Sequence, residues 1–262
     1  QPVPAGIVED LRRAQSPGGR AQLGCCVIEG LRLHERALRA GCVLRTVVAT
    51  QAFLESDDLR ADALVAALFE AGCKPFVVSR ETLAEFTGGR GGGEVVGLLE
   101  IPKASSLEDL AATGGVLLAA VDVEDPGNVG ALSRTALASG AAGFLTCGVS
   151  DPWHPKALRT SMGSLFKIPV LQVPYADELI AELSHAGVRT LAAVSAEGTP
   201  LPKVARGEGA LCVLMGSEAF GLADGIAGAA SECVTIPMSA EADSYSVNAA
   251  AGILLYELIG RG

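Results

Sequence analysis

The segment GVLLAAVDVEDPGNVGALSRTALASGAAGFLTC, residues 115–147, alternates between two kinds of hydrophobic pattern. Its two ends, 115–122 and 143–147, are short apolar runs without polar alternation, which is typical of strands buried on both faces. The part between them, at about 128–139, has the length and the composition of a helix. The segment therefore predicts a strand, a helix and a second strand, which is the repeating unit of a parallel α/β sheet.

The same alternation continues in both directions along the chain. Towards the N-terminus, helices that end at Gly41 and Gly72 separate apolar strands, and Ser79 is positioned to cap the next helix. We therefore predict an α/β fold for both halves of the chain, each with a parallel sheet. The further predicted strands are CCVIE (25–29), LRTVVAT (44–50), KPFVVS (74–79), EVVGLLEIP (94–102), KIPVLQV (167–173), VRTLAAV (188–194), ALCVLMG (210–216) and ECVTIPM (232–238). The further predicted helices lie at about 58–71, 154–161, 176–186 and 246–260, with a short helix after Glu218.

The passage PKASSLEDLAATGG, residues 102–115, is the most linker-like part of the chain. It predicts a boundary between a smaller N-terminal domain, 1–101, and a C-terminal domain, 114–262, with 102–113 as the linker. The chain is long enough for each of these domains to bury a hydrophobic core.

The composition excludes several classes of protein. The chain has 262 residues, a mean hydropathy of +0.38 and no apolar run near the roughly 20 residues of a membrane span, so we expect no membrane segment. The first residues lack the pattern of a signal peptide, which predicts a cytoplasmic protein. The seven cysteines form no C-x-x-C pair and lie mostly in apolar runs, so we expect reduced thiols. The three histidines are scattered, and we expect no metal.

The charge of the chain is unevenly distributed. A net charge of −10 argues against a protein that coats nucleic acid through bulk charge. The region up to Arg45 nevertheless contains seven arginines, which indicate either an anion-facing surface or a solvated helix face. Charge alone does not separate these two alternatives. The seven are Arg12, Arg13, Arg20, Arg32, Arg36, Arg39 and Arg45.

The loop after the strand 115–122 contains two candidate functional residues. Ligands of open α/β sheets bind beyond the carboxyl ends of the strands, where this loop lies. Asn128, at the start of the following helix, is either a plain N-cap or a functional residue. Arg134 lies among Ala and Leu residues, where a guanidinium requires an anionic or carbonyl partner. We therefore rank Arg134 above Asn128 as a functional candidate.

Two later loops contain further candidates. Gly216 and Gly221 flank small residues that allow a ligand to approach the backbone, and we predict Glu218 at a helix N-terminus between them. The sequence SYSVN, residues 244–248, leads into the terminal helix, which is apolar nearly all round. That helix is either a core helix or a subunit interface. We expect it to expose Ile253, Leu254, Leu255 and Leu258.

Three motifs in the C-terminal part resemble those of the SpoU/TrmH family of RNA 2′-O-ribose methyltransferases, in the SPOUT superfamily. The motifs are DPGNVGALSRTALASGAAGF, LMGSEAFGL, and IPM followed by SYSVNAAAGILLYE, and they occur in the family's order within about residues 114–262. The N-terminal part, with CCVIEG and HERALRAG, is similar to the α/β substrate-binding domain of family members, which is akin to RNA-binding ribosomal proteins.

The resemblance implies a fold and a cofactor that the hydrophobic pattern does not predict. It implies a trefoil knot in the C-terminal parallel-sheet domain, S-adenosylmethionine held in loops of the knot, and a homodimer in which the terminal helix packs against its mate. The family's cofactor positions fall on Gly216, Ile236 and Tyr245, largely through backbone groups. We expect their neighbours Met215, Gly221 and Met238 to contribute to the same site.

The resemblance also implies the catalytic residues. Asn128, Arg134 and Glu218 match the asparagine, the arginine and the glutamate of the family's active site. The third motif departs from the family, because Ser246 stands where the family has asparagine and Asn248 follows two positions later. We predict that Ser246 or Asn248 fills this role, with a plain cap of the terminal helix as the alternative for Asn248.

The implied activity is methyl transfer to a ribose 2′-hydroxyl in structured RNA, with ribosomal RNA favoured over transfer RNA and either a housekeeping or an antibiotic-resistance role. A non-catalytic RNA-binding protein on the same fold is the first alternative. The second is a different α/β enzyme, but the sequence contains no phosphate-binding loop and no nucleophile elbow. The glycine-rich stretch GGRGGG (88–93) lacks the strand and the helix that flank a dinucleotide-binding loop.

Overall fold

The computed structural model describes residues 3–87 and 93–260 of the chain. The chain folds into two compact units. Unit 1 extends to Pro102 and includes the later segment Trp153–Phe166, whereas unit 2 comprises Lys103–Pro152 and the chain from Lys167 onward. The glycine-rich stretch 88–93 lies outside the described residues, apart from Gly93.

Unit 1 contains a four-stranded mixed sheet. Its strands are β1 (Cys25–Glu29), β2 (Leu44–Ala49), β3 (Phe76–Val77) and β4 (Val95–Glu100), in the spatial order β1-β4-β2-β3. Strand β4 runs antiparallel to β1 and β2, whereas β2 and β3 are parallel. The prediction of a parallel sheet is therefore wrong for this unit, because burial on both faces removes polar alternation from strands of either direction. The helices before β4 are α1 (Ala5–Arg13), α2 (Pro17–Leu23), α3 (Leu31–Arg39), α4 (Gln51–Leu54), α5 (Leu59–Glu70) and α6 (Arg80–Ala84).

Unit 2 contains a seven-stranded sheet in which every neighbouring pair is parallel. This confirms the predicted α/β fold with a parallel sheet for the C-terminal part, whereas the trefoil knot stays a prediction. The strands are β5 (Val116–Val121), β6 (Gly143–Cys147), β7 (Val170–Val173), β8 (Arg189–Ala193), β9 (Thr199–Pro200), β10 (Leu211–Met215) and β11 (Glu232–Thr235), in the order β7-β6-β5-β10-β8-β11-β9. The remaining helices are α7 (Leu107–Ala112), α8 (Pro126–Ser139), α9 (Pro155–Ser161), α10 (Ala176–His185), α11 (Asp224–Ala229) and α12 (Val247–Gly260), with 3-10 turns at Ser164–Phe166 and Leu201–Lys203.

The middle of the unit 2 sheet determines where a ligand can bind. Strands β5 and β10 are buried along their whole length, so neither has an open face. Because the strands are parallel, the carboxyl ends of β5, β10, β8 and β11 meet at one edge of the sheet. The loops that follow these strands therefore lie side by side at that edge.

The predicted linker 102–113 contains a helix of unit 2. Helix α7 begins after Ser106, whose hydroxyl accepts a hydrogen bond from the backbone N–H of Asp109 at 3.1 Å. Leu107 and Leu110 are buried in the unit 2 core. The passage is rich in small polar residues, but two leucines three positions apart give the short helix a face that the core can bury.

Helix α9 belongs to unit 1, although the sequence around it was predicted to lie within one continuous domain, 114–262. The helix packs against β1. Arg159 forms an ion pair with Glu29, with 2.6 Å between Nη1 and Oε1. The carbonyl oxygen of Met162, which follows α9, accepts a hydrogen bond from Arg36 on α3. The segment Trp153–Phe166 therefore completes unit 1 after the chain has already formed two strands of unit 2.

No helix in the described part of the chain is both long enough and apolar enough to cross a membrane. All seven cysteines lie within the described residues and none of them forms a disulfide, and five of the seven are buried. Burial raises the pKa of the Cys147 thiol to about 12, so this group stays protonated at neutral pH.

Candidate active site

A cavity of about 470 Å³ opens at the carboxyl edge of the unit 2 sheet. The loops that follow β8, β10 and β11 line it together with the first turns of α12. The structure brings to this one cavity all six residues that we predicted for cofactor binding, although their role stays a prediction. These residues are Met215, Gly216, Gly221, Ile236, Met238 and Tyr245.

A tight turn after β10 forms one side of the cavity. Ser217 and Gly221 exchange two backbone hydrogen bonds, at 3.1 and 2.9 Å. A Cβ atom on Gly216 would lie 2.2 Å from the carbonyl carbon of Gly221, so only glycine permits this approach of the backbone. Gly221 itself has φ +68°, in the region that favours glycine.

Glu218 lies in this turn. The sequence-based prediction that it lies at a helix N-terminus is therefore wrong. The next helix, α11, begins six residues later at Asp224. The turn is already closed by the hydrogen bonds between Ser217 and Gly221, so the chain does not enter a helix at Glu218. Glu218 therefore lines the cavity instead of starting a helix.

Three polar side chains form a continuous hydrogen-bonded chain beside the cavity. Asn128 donates from Nδ2 to Oε1 of Glu218, and Asn248 donates from Nδ2 to Oδ1 of Asn128 at 3.2 Å. A carboxylate can only accept hydrogen bonds, so Asn128 must turn its NH2 group towards Glu218 and its oxygen towards Asn248. We call Asn248, Asn128 and Glu218 the amide relay.

The helix-capping alternatives for the two asparagines are wrong. Asp125 is the N-cap of α8, and its carboxylate accepts from the backbone N–H of Gly127 at 2.7 Å, so Asn128 lies within the helix. Ser246 caps α12, with its hydroxyl accepting from the N–H of Ala249 at 3.3 Å. The serine thus has the capping role that was considered for Asn248, and the asparagine side chain is left for the amide relay.

Arg134 lies on α8 six residues after Asn128. At 100° per residue this separation places the two side chains about 120° apart around the helix. The Arg134 side chain is exposed, and in the part of the chain that the structure describes it forms no ion pair. The Ala and Leu residues around it in sequence therefore do not bury it, and its guanidinium is free to meet a ligand from solvent.

The arginines of unit 1 separate into two groups. Five of the seven have partners within the unit: Arg12 pairs with Glu85, Arg13 with Asp10 and Arg45 with Glu100, while Arg20 and Arg36 donate to backbone carbonyls. Arg32 and Arg39 on α3 are exposed and, among residues 3–87 and 93–260, form no ion pair. Of the seven arginines that the sequence offered for an anion-facing surface, Arg32 and Arg39 are therefore the two candidates that remain.

Comparison with known proteins places the chain in a family. Residues 115–256 match the SpoU rRNA methylase family. The chain belongs to this family. Membership confirms the resemblance found in the three motifs and, with it, the class of RNA 2′-O-ribose methyltransferases.

The similarity to individual family members extends over nearly the whole chain. The 23S rRNA (guanosine(2553)-2′-O)-methyltransferase of Bacillus subtilis is 30% identical over 259 residues, which cover 97% of this chain and 96% of that protein. An uncharacterized tRNA/rRNA methyltransferase of Synechocystis is 30% identical over 252 residues, covering 96% and 89%. The crystal structure of an AdoMet-bound rRNA methyltransferase from Sinorhizobium meliloti superimposes with a TM-score of 0.82 at 28% identity, covering 98% and 95%.

Sequence reasoning missed part of the cavity. Val194 and Ser195, at the end of β8, and Phe220, in the turn after β10, line it and were not singled out. The loop after β8 was detectable as a place for ligands, because it follows the carboxyl end of a strand. Nothing in the sequence distinguished Phe220 from a core residue.

Proposed function

We propose that this chain transfers a methyl group from S-adenosylmethionine to the 2′-hydroxyl of a ribose in ribosomal RNA. The observation that carries the proposal is the position of the amide relay, whose Glu218 lies on the wall of the cavity formed by the six predicted cofactor residues. Acceptor-binding groups and a cofactor-sized cavity thus lie together at the carboxyl edge of one sheet. The names of the Bacillus and Sinorhizobium relatives support ribosomal RNA as the substrate.

The cavity residues fit S-adenosylmethionine. A volume of about 470 Å³ lies within the ~300–1,000 Å³ of small-molecule sites, and the walls combine polar groups with the apolar side chains of Met215, Ile236 and Met238. Glu218 and Asp243 also line the cavity, and their negative charge suits a cationic ligand. When bound, the cofactor supplies an electrophilic methyl group on a sulfonium sulfur.

Arg134 is the proposed electrostatic clamp. A guanidinium remains protonated at neutral pH and is therefore a poor general base. Its planar fork is well suited to an RNA phosphate and to the negative charge that develops on the ribose oxygen, while the proton leaves to solvent or to phosphate. Arg134 is exposed and forms no ion pair with any residue that the structure describes, which supports this role over a structural one.

The amide relay is proposed to hold the ribose. Asn128 is fixed at both ends, by Glu218 and by Asn248, so its side chain cannot rotate without breaking two hydrogen bonds. A fixed polar group of this kind holds a reacting hydroxyl in line with the methyl donor at little further entropic cost. Ser246 caps the first turn of α12, the helix that carries Asn248, and its side chain takes no part in the amide relay.

We propose a homodimer that uses the outer face of α12. Leu254, Leu255 and Leu258 are buried within the chain, so three of the four residues expected to be exposed are core residues. Ile253 and Tyr256 are exposed and border an apolar groove of about 600 Å³. A second copy that packs against this groove removes its apolar surface from water.

Unit 1 is the proposed RNA-binding unit, with Arg32 and Arg39 as its phosphate contacts. We also expect the reaction to need no metal and to take place in the cytoplasm.

The direct test of the proposed methyl transfer uses labelled methyl groups on S-adenosylmethionine and unmodified ribosomal RNA as the acceptor, followed by alkaline digestion of the RNA. A 2′-O-methylated linkage resists cleavage, so the label should remain in a dinucleotide. RNA binding without transfer would instead favour a non-catalytic RNA-binding protein.

A further inference from the structure

Phe220 is the most exposed large hydrophobic side chain in the described residues, at 86%. It lines the cavity, as does the aromatic Tyr245, which is 41% exposed. The whole chain contains only seven Phe, three Tyr and one Trp. Single exposed hydrophobic residues are ordinary on protein surfaces, but two exposed aromatic rings at the mouth of one cavity indicate a ligand with a flat apolar face.

The turn after β10 holds Phe220 in place. Its backbone N–H donates to Oγ of Ser217 at 3.2 Å, and the two hydrogen bonds between Ser217 and Gly221 close the turn on either side. The close approach at Gly216 leaves no room for the turn to shift inward. A ring on such a turn loses little conformational freedom when a ligand stacks on it.

The chemistry of the acceptor places a base near this ring. The methyl-accepting oxygen is on C2′ of the ribose, and the base is attached to the neighbouring carbon, C1′. Glu218, which anchors the amide relay, precedes Phe220 by two residues, so their Cα atoms lie within about 7 Å. A ribose held by the amide relay therefore brings its own base to the vicinity of Phe220.

We infer that Phe220 is a stacking platform for the base of the nucleotide that is methylated. Proteins that recognise RNA by sequence stack splayed-out bases on aromatic side chains. The cavity interior is already supplied with apolar groups by Met215, Leu222 and Ile236, whereas the Phe220 ring faces solvent, the side from which RNA arrives. This inference rests on the proposed function and assigns to the turn a role in holding the substrate.

The test uses an in vitro transcript of 23S rRNA and the full-length chain. Phe220→Ala should raise KM for the transcript about 10-fold, since the loss of one base stack typically weakens binding by that factor. The Kd for S-adenosylmethionine, measured by calorimetry, should not change. Phe220→Tyr should retain the wild-type KM and Phe220→Leu should not, because leucine restores apolar bulk without a flat face. Tyr175→Ala is the matched control, an exposed aromatic outside the cavity.

Several outcomes would overturn the inference. An unchanged KM in Phe220→Ala, or a Phe220→Leu variant as good as Phe220→Tyr, would show that no base stacks there. A weaker Kd for S-adenosylmethionine would place the ring against the cofactor, and a change in the molecular mass of the assembly would place it in an interface. If Phe220→Ala lowers the thermal midpoint so far that its KM cannot be measured, the KM values of Phe220→Leu and Phe220→Tyr provide the test instead. Absence of transfer by the wild-type chain would refute the proposed function before any variant is compared.

Discussion

Asn248 on α12 donates a hydrogen bond to the side-chain oxygen of Asn128 on α8, with 3.2 Å between Nδ2 and Oδ1. The resemblance implies an asparagine at position 246, where this chain has a serine, and an asparagine follows two residues later. The displaced asparagine nevertheless reaches the side chain of the first motif. The serine that replaces it begins the helix on which the asparagine stands.

We predict that Asn248→Ala lowers the single-turnover methylation rate on the order of 10²–10³-fold, as does the loss of one oriented catalytic hydrogen bond elsewhere. The reason is that Asn128 is then held only by Glu218. The matched control is Ser246→Ala, which should cost about 1 kcal/mol of folding stability through removal of the cap but leave the rate per folded molecule nearly unchanged. The reverse pattern, a fully active Asn248→Ala and an inactive Ser246→Ala, would transfer the role to the serine.

Arg134→Ala should abolish methyl transfer while the thermal midpoint and the binding of S-adenosylmethionine remain close to wild type. The side chain is exposed and forms no ion pair within the described residues, so its removal leaves no buried group unsatisfied. Arg134→Lys should recover little, because a point charge does not reproduce the planar fork. Near-normal turnover in either variant would remove Arg134 from the mechanism. Arg80→Ala, which breaks an exposed ion pair with Glu94, controls for loss of one positive charge.

The double change of Arg32 and Arg39 to Ala should weaken RNA binding and lower the slope of log Kd against log salt. The slope should fall by about 0.7–0.9 for each RNA phosphate that is no longer neutralised. Arg12 and Arg45 offer a control with the same change in net charge, because both are already paired, with Glu85 and Glu100. Binding isotherms at several salt concentrations give the slopes. Equal slopes for the two double variants would mean that α3 is not the phosphate-binding face.

Unit 1 should lose stability as the pH falls from about 6.5 towards 4.5. Burial lowers the pKa of His34 from 6.5 to about 4, and its Nε2 is buried without a hydrogen-bond partner among the described residues. Below pH 6.5 the unfolded chain therefore binds a proton that the folded unit does not, which costs about 2–3 kcal/mol over this range. The free energy of unfolding at each pH can be measured by urea titration with the fluorescence of Trp153 as the signal. Trp153 is the single tryptophan of the chain and is buried in unit 1. His34→Gln should flatten this dependence, and His185→Gln, at an exposed position, should not.

The chain should have twice its mass of 26.6 kDa in light scattering at micromolar concentration. Tyr256→Glu should convert it to the monomer, because a carboxylate in the apolar groove beside α12 costs desolvation energy. The control is Phe69→Glu, which changes an exposed aromatic residue on α5, away from the groove, and should leave the dimer intact. A monomeric wild-type chain would rule out the proposed interface.

Much of the fold is visible in the sequence. Strands such as CCVIE and GFLTC coincide with β1 and β6, because a short apolar run can bury both faces only inside a sheet. The direction of β4 was not predictable, since its apolar pattern is the same in a parallel and an antiparallel pair. The attachment of α9 to unit 1 depends on interactions such as that of Arg159 with Glu29, which are 130 residues apart and leave no local signal.

The candidate site was predictable where the motifs specify residue types, and less so where geometry matters. The six predicted cofactor positions converge on one cavity because each lies at the end of β10 or after the end of β10 or β11, two parallel strands whose carboxyl ends meet at the same edge. Glu218 was misplaced because a turn closed by Ser217 and Gly221 looks, in sequence, like a helix start. The contact between Asn248 and Asn128 could not be predicted from the sequence, because the two residues lie 120 positions apart.

The assignment of Trp153–Phe166 to unit 1 has a consequence for the order of events during synthesis. A ribosome releases the first 102 residues of unit 1 well before this segment, and two strands of unit 2 emerge in between. Until the segment is synthesised, the β1 surface that α9 covers in the folded chain remains exposed to water. Unit 1 therefore cannot complete its folding before part of unit 2 has been synthesised. Chains arrested before residue 166 should therefore be more sensitive to protease in their first hundred residues than chains arrested after it.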